Sequence, residues 1–180
     1  MFESEYKYYL LDHKDKIDDS GIMEHWLYGF RTRRRRYIVR VERYDLNIYI
    51  IKFHADCHSA SKEKYHLLFN DEQPSPIIMT CIRIMLDFFH RDPIASFGFI
   101  GSNSCNKRRR GHVIVEGKEN TQRFRIYQTV MFYFFGEQTF EHSRNITHSA
   151  YLLINKKNAD TGDFRKRAEK MFRELYTTLE

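Results

Sequence analysis

"PSPIIMTCIRIMLDFFHRDPIASFGFIG", residues 74 to 101, changes its hydrophobic period partway along, and that change decides the fold class. Ser75 is a residue type that caps helices and Pro76 suits the first helical position, so the spacing predicts a helix from Pro76 with the body IIMTCIRIMLDFFH. Ile78, Ile82, Met85 and Phe89 form one stripe, while Ile77, Ile84 and Phe88 lie off it. A helix apolar on most sides is expected inside the molecule, packed between layers. RDP ends it, because the residue before a proline is biased away from helix. ASFGFIG then reads as a short buried strand.

Upstream of this helix, WLYGF, RYIVRVER, NIYIIKFH and KYHLLF are rich in β-branched and aromatic residues and are separated by polar turns, so each is predicted as a strand. The short break RYDLN joins the second and third as an antiparallel hairpin. Tyr37, Val39 and Val41 alternate with Ile38, Arg40 and Glu42, one apolar face against one mixed face. Downstream, NTQRFRIYQTVMFYFFG restores helical spacing, with Phe124, Tyr127, Val130, Met131, Phe134 and Phe135 on one side and Gly136 as its stop. QTFEH and SAYLLIN are two closing strands, and an amphipathic helix runs from about Asp163 to Leu179. The prediction is an α+β fold: a mixed, largely antiparallel sheet with a core helix, a second helix after a central strand, and a C-terminal amphipathic helix. One domain is expected over residues 1–180, divided into an N-terminal segment 1–23, a core 24–155 and the C-terminal helix 156–180.

The 180 residues are 42% hydrophobic and 16% aromatic, which excludes a disordered chain. A formal charge of +6 favours an acidic partner, nucleic acid or another polyanion. Cys57, Cys81 and Cys105 are odd in number and follow no paired spacing, so neither a disulfide framework nor a zinc ribbon is indicated. The first residues show no basic stretch followed by an apolar one, and no long apolar run occurs, so a cytoplasmic protein that does not span a membrane is expected.

Two basic runs, RTRRRR at Arg31–Arg36 and NKRRR at Asn106–Arg110, carry clustered guanidinium groups suited to phosphate oxygens. Arg33, Arg34, Arg35, Arg36 and Lys107, with Arg123 and Arg125, are the nucleic-acid-binding candidates. The spacing GxxG at Gly98–Gly101 matches an RNA-clamping loop, but here it ends a strand instead of joining two helices. Neither a Walker loop nor a dinucleotide fingerprint is present. HADCH, His54–His58, groups metal-ligand types without a second pair at zinc-finger spacing, so no metal is expected.

The order of predicted elements, together with Asn120 and Tyr127 seven residues apart in NTQRFRIY, resembles the GNAT-type N-acyltransferase fold. The resemblance covers about Glu24 to Asn155. It implies that Asn120 helps hold acyl-CoA and that Tyr127 protonates the departing CoA thiolate. Where that family carries a glycine-rich loop for the CoA pyrophosphate, this chain has DEQPSPIIM, with two acids, two prolines that lack an N–H and no glycine. The pyrophosphate site is therefore expected to be lost or moved to Arg108, Arg109 and Arg110. Arg123 replaces the family's small residue three positions after the Asn. The chain also looks like a little-characterised bacterial family of short cytosolic proteins with Arg-x-Arg-x-Tyr on the helix, here Arg123, Arg125 and Tyr127. Two functions stay open: an atypical or degenerate acyl-CoA-dependent acyltransferase, and a non-catalytic nucleic-acid-binding or RNA-targeting module of a bacterial defence or toxin system.

Overall fold

The alternation of Tyr37, Val39 and Val41 with Arg40 and Glu42 does what a period of two requires: it sends the apolar set to one face of a sheet. A computed structural model describes residues 5–15, 21–65, 67, 73–101, 105–107, 113–158 and 162–177. In it β1 (Tyr8–Asp15), β2 (Glu24–Arg31), β3 (Arg36–Tyr44), β4 (Ile48–Ala55) and β5 (Ser96–Ile100) lie side by side. A separate ladder pairs β6 (Cys105–Lys107) with β7 (Val113–Val115). The main sheet is completed by β8 (Phe140–Asn145) and β9 (Ala150–Asn155), in the order β1-β2-β3-β4-β5-β9-β8. Every neighbouring pair is antiparallel except β4 and β5. With the helices α1 (Pro74–Arg91), α2 (Gln122–Phe134) and α3 (Gly162–Thr177), this is the expected α+β architecture.

The two faces of the sheet have different covers. Phe30, Val39, Val41, Phe97, Phe99 and Leu153 pack under α1 and α2 in the larger core. On the opposite face Phe164 and Ala168 of α3 close over Ile48, Ile50, Leu152 and Ile154. Each such large side chain contributes about 1.5–3 kcal/mol when fully removed from water. Further along that second face, over β3 and β4, the cover is polar. Glu42 is 3% exposed and accepts from Arg40 Nε at 2.6 Å, Lys52 Nζ at 2.7 Å and the Tyr44 hydroxyl at 2.9 Å. Those donors outweigh burial and hold its carboxyl below the usual range.

Four expectations need correction. Helix α1 starts at Pro74 with Gln73 before it, so Ser75 lies inside the first turn instead of capping it; both prolines are tolerated there because first-turn N–H groups have no helical partner. Its all-round apolar character has a different cause from burial between layers. The segment before β1 lies on it, with Tyr6 N donating to Thr80 Oγ1 at 2.9 Å and the Tyr8 hydroxyl to Asp87. Residues 1–23 therefore supply an edge strand, and the sheet begins at Tyr8 and not at Glu24. Of KYHLLF, expected as a strand, Lys64 and Tyr65 are in a turn and Leu67 forms a single β-bridge, while His66, Leu68 and Phe69 lie outside the described residues.

Candidate functional site

The one parallel pair of the main sheet is short. β4 and β5 match at Ile48 with Ser96, Tyr49 with Phe97 and Ile50 with Gly98, and there the pairing stops, although β4 continues to Ala55 and β5 to Ile100. Among the described strands none continues along the edge of β4 from Ile51 onward, whereas β3 pairs its other edge as far as Ala55. Among the described residues the ladder thus opens at the carboxyl ends of its two parallel strands, the end at which open α/β sheets characteristically bind ligands. α1 and α2 both begin at this end, and the β2–β3 turn carrying Arg31–Arg36 projects from it.

The start of α2 is held against the end of β5 by the absence of a side chain. A Cβ on Gly101 would lie 2.7 Å from Phe124 Cβ, Phe124 N and Thr121 Oγ1 alike. Thr121 is the N-cap: its Oγ1 accepts from Phe124 N at 3.2 Å and donates to Gly101 O at 2.6 Å. Its own N–H reaches Ser149 Oγ at 2.9 Å. From this anchored start, Arg123 and Tyr127 point to the sheet one helical turn apart, and Tyr127 packs on Phe99 with centroids 5.2 Å apart.

Arg123 is 5% exposed, and its guanidinium lies over the Phe53 ring at 5.0 Å. Its Nη1 donates to the carbonyl of Tyr65. The Tyr65 ring sits on the opposite face, edge-on to His54 and beneath Lys52 Nζ. Since β3 closes one edge of β4, this contact between the faces runs along the edge that β5 has left. Tyr65 and Arg123 therefore stand in the opening. Burial lowers the Arg123 pKa, pushes the Cys81 thiol up to about 12 and raises the Tyr127 phenol, so both neighbours are neutral at physiological pH. No hydrogen bond to the Tyr127 hydroxyl is found among the described residues.

The other candidate residues are dispersed. Asn120 is exposed in the left-handed region (φ 48°), its N–H bonded to Ile146 O at 3.0 Å and its carbonyl to Arg125 Nη1. It shapes the turn into α2, and Arg125 is exposed beside it. Arg33 and Arg34 are exposed in the β2–β3 turn, Arg35 and Arg36 half-buried, and Arg36 reaches Asp56 at 3.8 Å. Arg123 is no part of that basic surface, because its position on the apolar stripe of α2 carries it into the core. Lys107 lies in β6, while Arg108, Arg109 and Arg110 are outside the described residues. Of HADCH, His54 is buried with Nε2 3.1 Å from Ser59 Oγ, and Cys57 is exposed. Among the described residues the group within ligand reach of a common ion is instead His13, Asp15 and Glu24, at the edge of the sheet.

Sequence reasoning places Arg123 among the nucleic-acid-binding candidates and gives no role to Phe53 or Tyr65. A signal was available: Arg123 precedes Tyr127 by four and Val130 by seven, in phase with the apolar stripe. Compared with known proteins, the chain matches no family model, no curated protein and no solved structure.

Proposed function

We propose that this chain is a GNAT-type protein, an atypical acyl-CoA-dependent acyltransferase that receives the thioester arm of its donor at the opening between β4 and β5. The observation that carries this reading is the parting of the single parallel pair beside Tyr127. The order β2–β4, α1, β5, α2, β8, β9 supports it, being the order on which the resemblance rests. Acyl-CoA would supply the activated carbonyl. The residues contribute an apolar wall and a proton: Ile51, Phe53 and Phe99 are buried core residues beside the unpaired edge, and Tyr127, kept protonated by burial, is a group able to return a proton to a departing thiolate. The residues fit the thioester arm better than the pyrophosphate, because Pro74 and Pro76 remove two N–H donors from the first turn of α1.

The reading predicts that acetyl-CoA binds in the upper micromolar to millimolar range, followed by heteronuclear NMR. Amide shifts should be confined to the carboxyl ends of β4 and β5 and the start of α2. No shift at millimolar acetyl-CoA, or shifts centred on the β8–β9 hairpin, would overturn it. Low-micromolar binding would instead show that the pyrophosphate site is intact. A second reading, polyanion binding, is favoured by the exposed Arg31, Arg33 and Arg34 at the same end of the sheet.

A further inference from the structure

Arg123 is a whole cation withdrawn from water with only part of its donor set used. Nη1 is bonded to Tyr65 O, but Nε and Nη2 are buried with no hydrogen-bond partner. Those two nitrogens share one side of the planar guanidinium, where their N–H vectors run parallel and match two oxygens of a carboxylate or phosphate. No ion pair to Arg123 occurs among the described residues. Glu116 acts on its charge, but that carboxylate accepts from Gln122 N at 2.6 Å. Tyr37, Cys81 and Tyr127, the other groups acting on it, are a phenol, a thiol and a phenol. Leaving a charge buried and unpaired costs several kcal/mol, and the apolar alternatives of similar size would not incur that cost.

We propose that the Nε/Nη2 edge of Arg123 is a subsite for a carboxylate carried into the opening between β4 and β5. One cation, with the Glu116 carboxylate already acting on it, compensates at most one further negative charge, which fits a carboxylate better than a phosphate dianion. The Phe53 ring beneath the guanidinium is an apolar neighbour for the carbon chain of that carboxylate. On the acyltransferase reading, on which only the identity of that chain rests, the donor carries a dicarboxylic acyl group whose free end meets Arg123. The subsite itself needs no thioester.

The test uses free acids on the full chain. Arginine Nε–Hε resonances are recorded while succinate, inorganic phosphate or the neutral analogue succinamide is added. The Arg123 signal is identified by its proximity to the Phe53 ring. A saturable downfield shift of that signal with succinate, at least tenfold weaker with phosphate and absent with succinamide, is expected. In parallel, succinate should raise the melting temperature of the wild type and not that of Arg123→Met. No movement of the Arg123 signal at tens of millimolar succinate, or equal stabilisation of wild type and Arg123→Met, would overturn the subsite; tighter binding of phosphate would overturn its assignment to a carboxylate. If Arg123→Met fails to fold, the wild-type resonance alone decides. Failure of acetyl-CoA to bind would count against the acyltransferase reading and leave the succinate result unaffected.

Discussion

Gly101→Ala tests whether the start of α2 is set by close approach to β5. The new methyl carbon would be 2.7 Å from a helix nitrogen, a Cβ and the capping hydroxyl, against an ordinary contact of about 3.5–4.0 Å. Two of those three atoms belong to Phe124 at the first turn, so no flexible side-chain end can swing aside. The helix start has to move by most of an ångström. Overpacking of this kind costs about 1–3 kcal/mol and a weakened Thr121 cap about 1 kcal/mol more, offset by about 0.4–1 kcal/mol from the stiffer unfolded chain. The net is a loss of about 2 kcal/mol, or a melting temperature lower by about 4–8 °C for a chain of this size. Gly117→Ala is the control, since a methyl there meets nothing within 4 Å. Thermal and urea unfolding of both variants give the comparison, and amide shifts at Arg123 and Tyr127 should move only in Gly101→Ala. Equal stability of the two variants would refute the claim that backbone contact positions this helix.

Tyr127→Phe should leave melting nearly unchanged while lowering any acyl-transfer kcat by about two to four orders of magnitude, measured by thiol release; an unchanged kcat removes the phenol from the chemistry. Glu42→Gln strands Arg40 and Lys52 and should cost about 3 kcal/mol at pH 7 in urea unfolding. Because the folded carboxyl is held below its unfolded value, that deficit is present above pH about 4.3 and should close as pH falls through the lower folded value; a deficit constant to pH 3 would refute the assignment. His54, lowered to about 4 by burial and then by Lys64, faces Asp56 and His58 as well, so its contribution is complete above pH 6.5 and lost between 6.5 and about 4. His54→Gln should flatten the stability profile across that window, and an unchanged slope would reassign the acid sensitivity. Replacing Arg31, Arg33 and Arg34 by serine should reduce the salt dependence of single-stranded nucleic-acid binding by about 2 in log–log slope, at about 0.7 per phosphate, and an unchanged slope would exclude the β2–β3 turn as the contact.

The sheet was legible where one face is apolar and the other mixed. β3 shows its period because Val39 and Val41 are buried under the helices while Arg40 faces the other side, half-buried. β1 was not legible for the same reason turned round. YYLLDHKD is an edge strand with exposed residues on both faces, and the irregularity between Leu10 and Asp12 breaks its period. The β6–β7 ladder is too short to carry a period at all. Helix α1 announced itself through apolar content, but the partner responsible for its outer apolar residues, the Tyr6–Tyr8 segment, comes from far away in the chain. No local pattern records that contact.

The site was legible in part and for a misleading reason. Asn120 and Tyr127 were visible by spacing, yet Asn120 is explained by the left-handed turn that its residue type tolerates, and Tyr127 by the stripe on which it lies. Neither demands a ligand. Arg123 does, and its type concealed it, because arginine on a basic chain reads as surface until its phase on the helix is counted. Three facts then converge on one place: Gly101 brings α2 onto the end of β5, the β4–β5 ladder stops after Ile50, and the guanidinium that reaches into the resulting opening keeps two donors unused. A methionine or leucine at 123 would fill the same space without a buried charge, and the bond to Tyr65 and the contact with Phe53 use only part of the guanidinium. Among the described residues no ion pair compensates it, and the proposed carboxylate is a charge that meets its unused edge. That is why the decisive measurement concerns the empty side of this one guanidinium and not the motif that first suggested an acyltransferase.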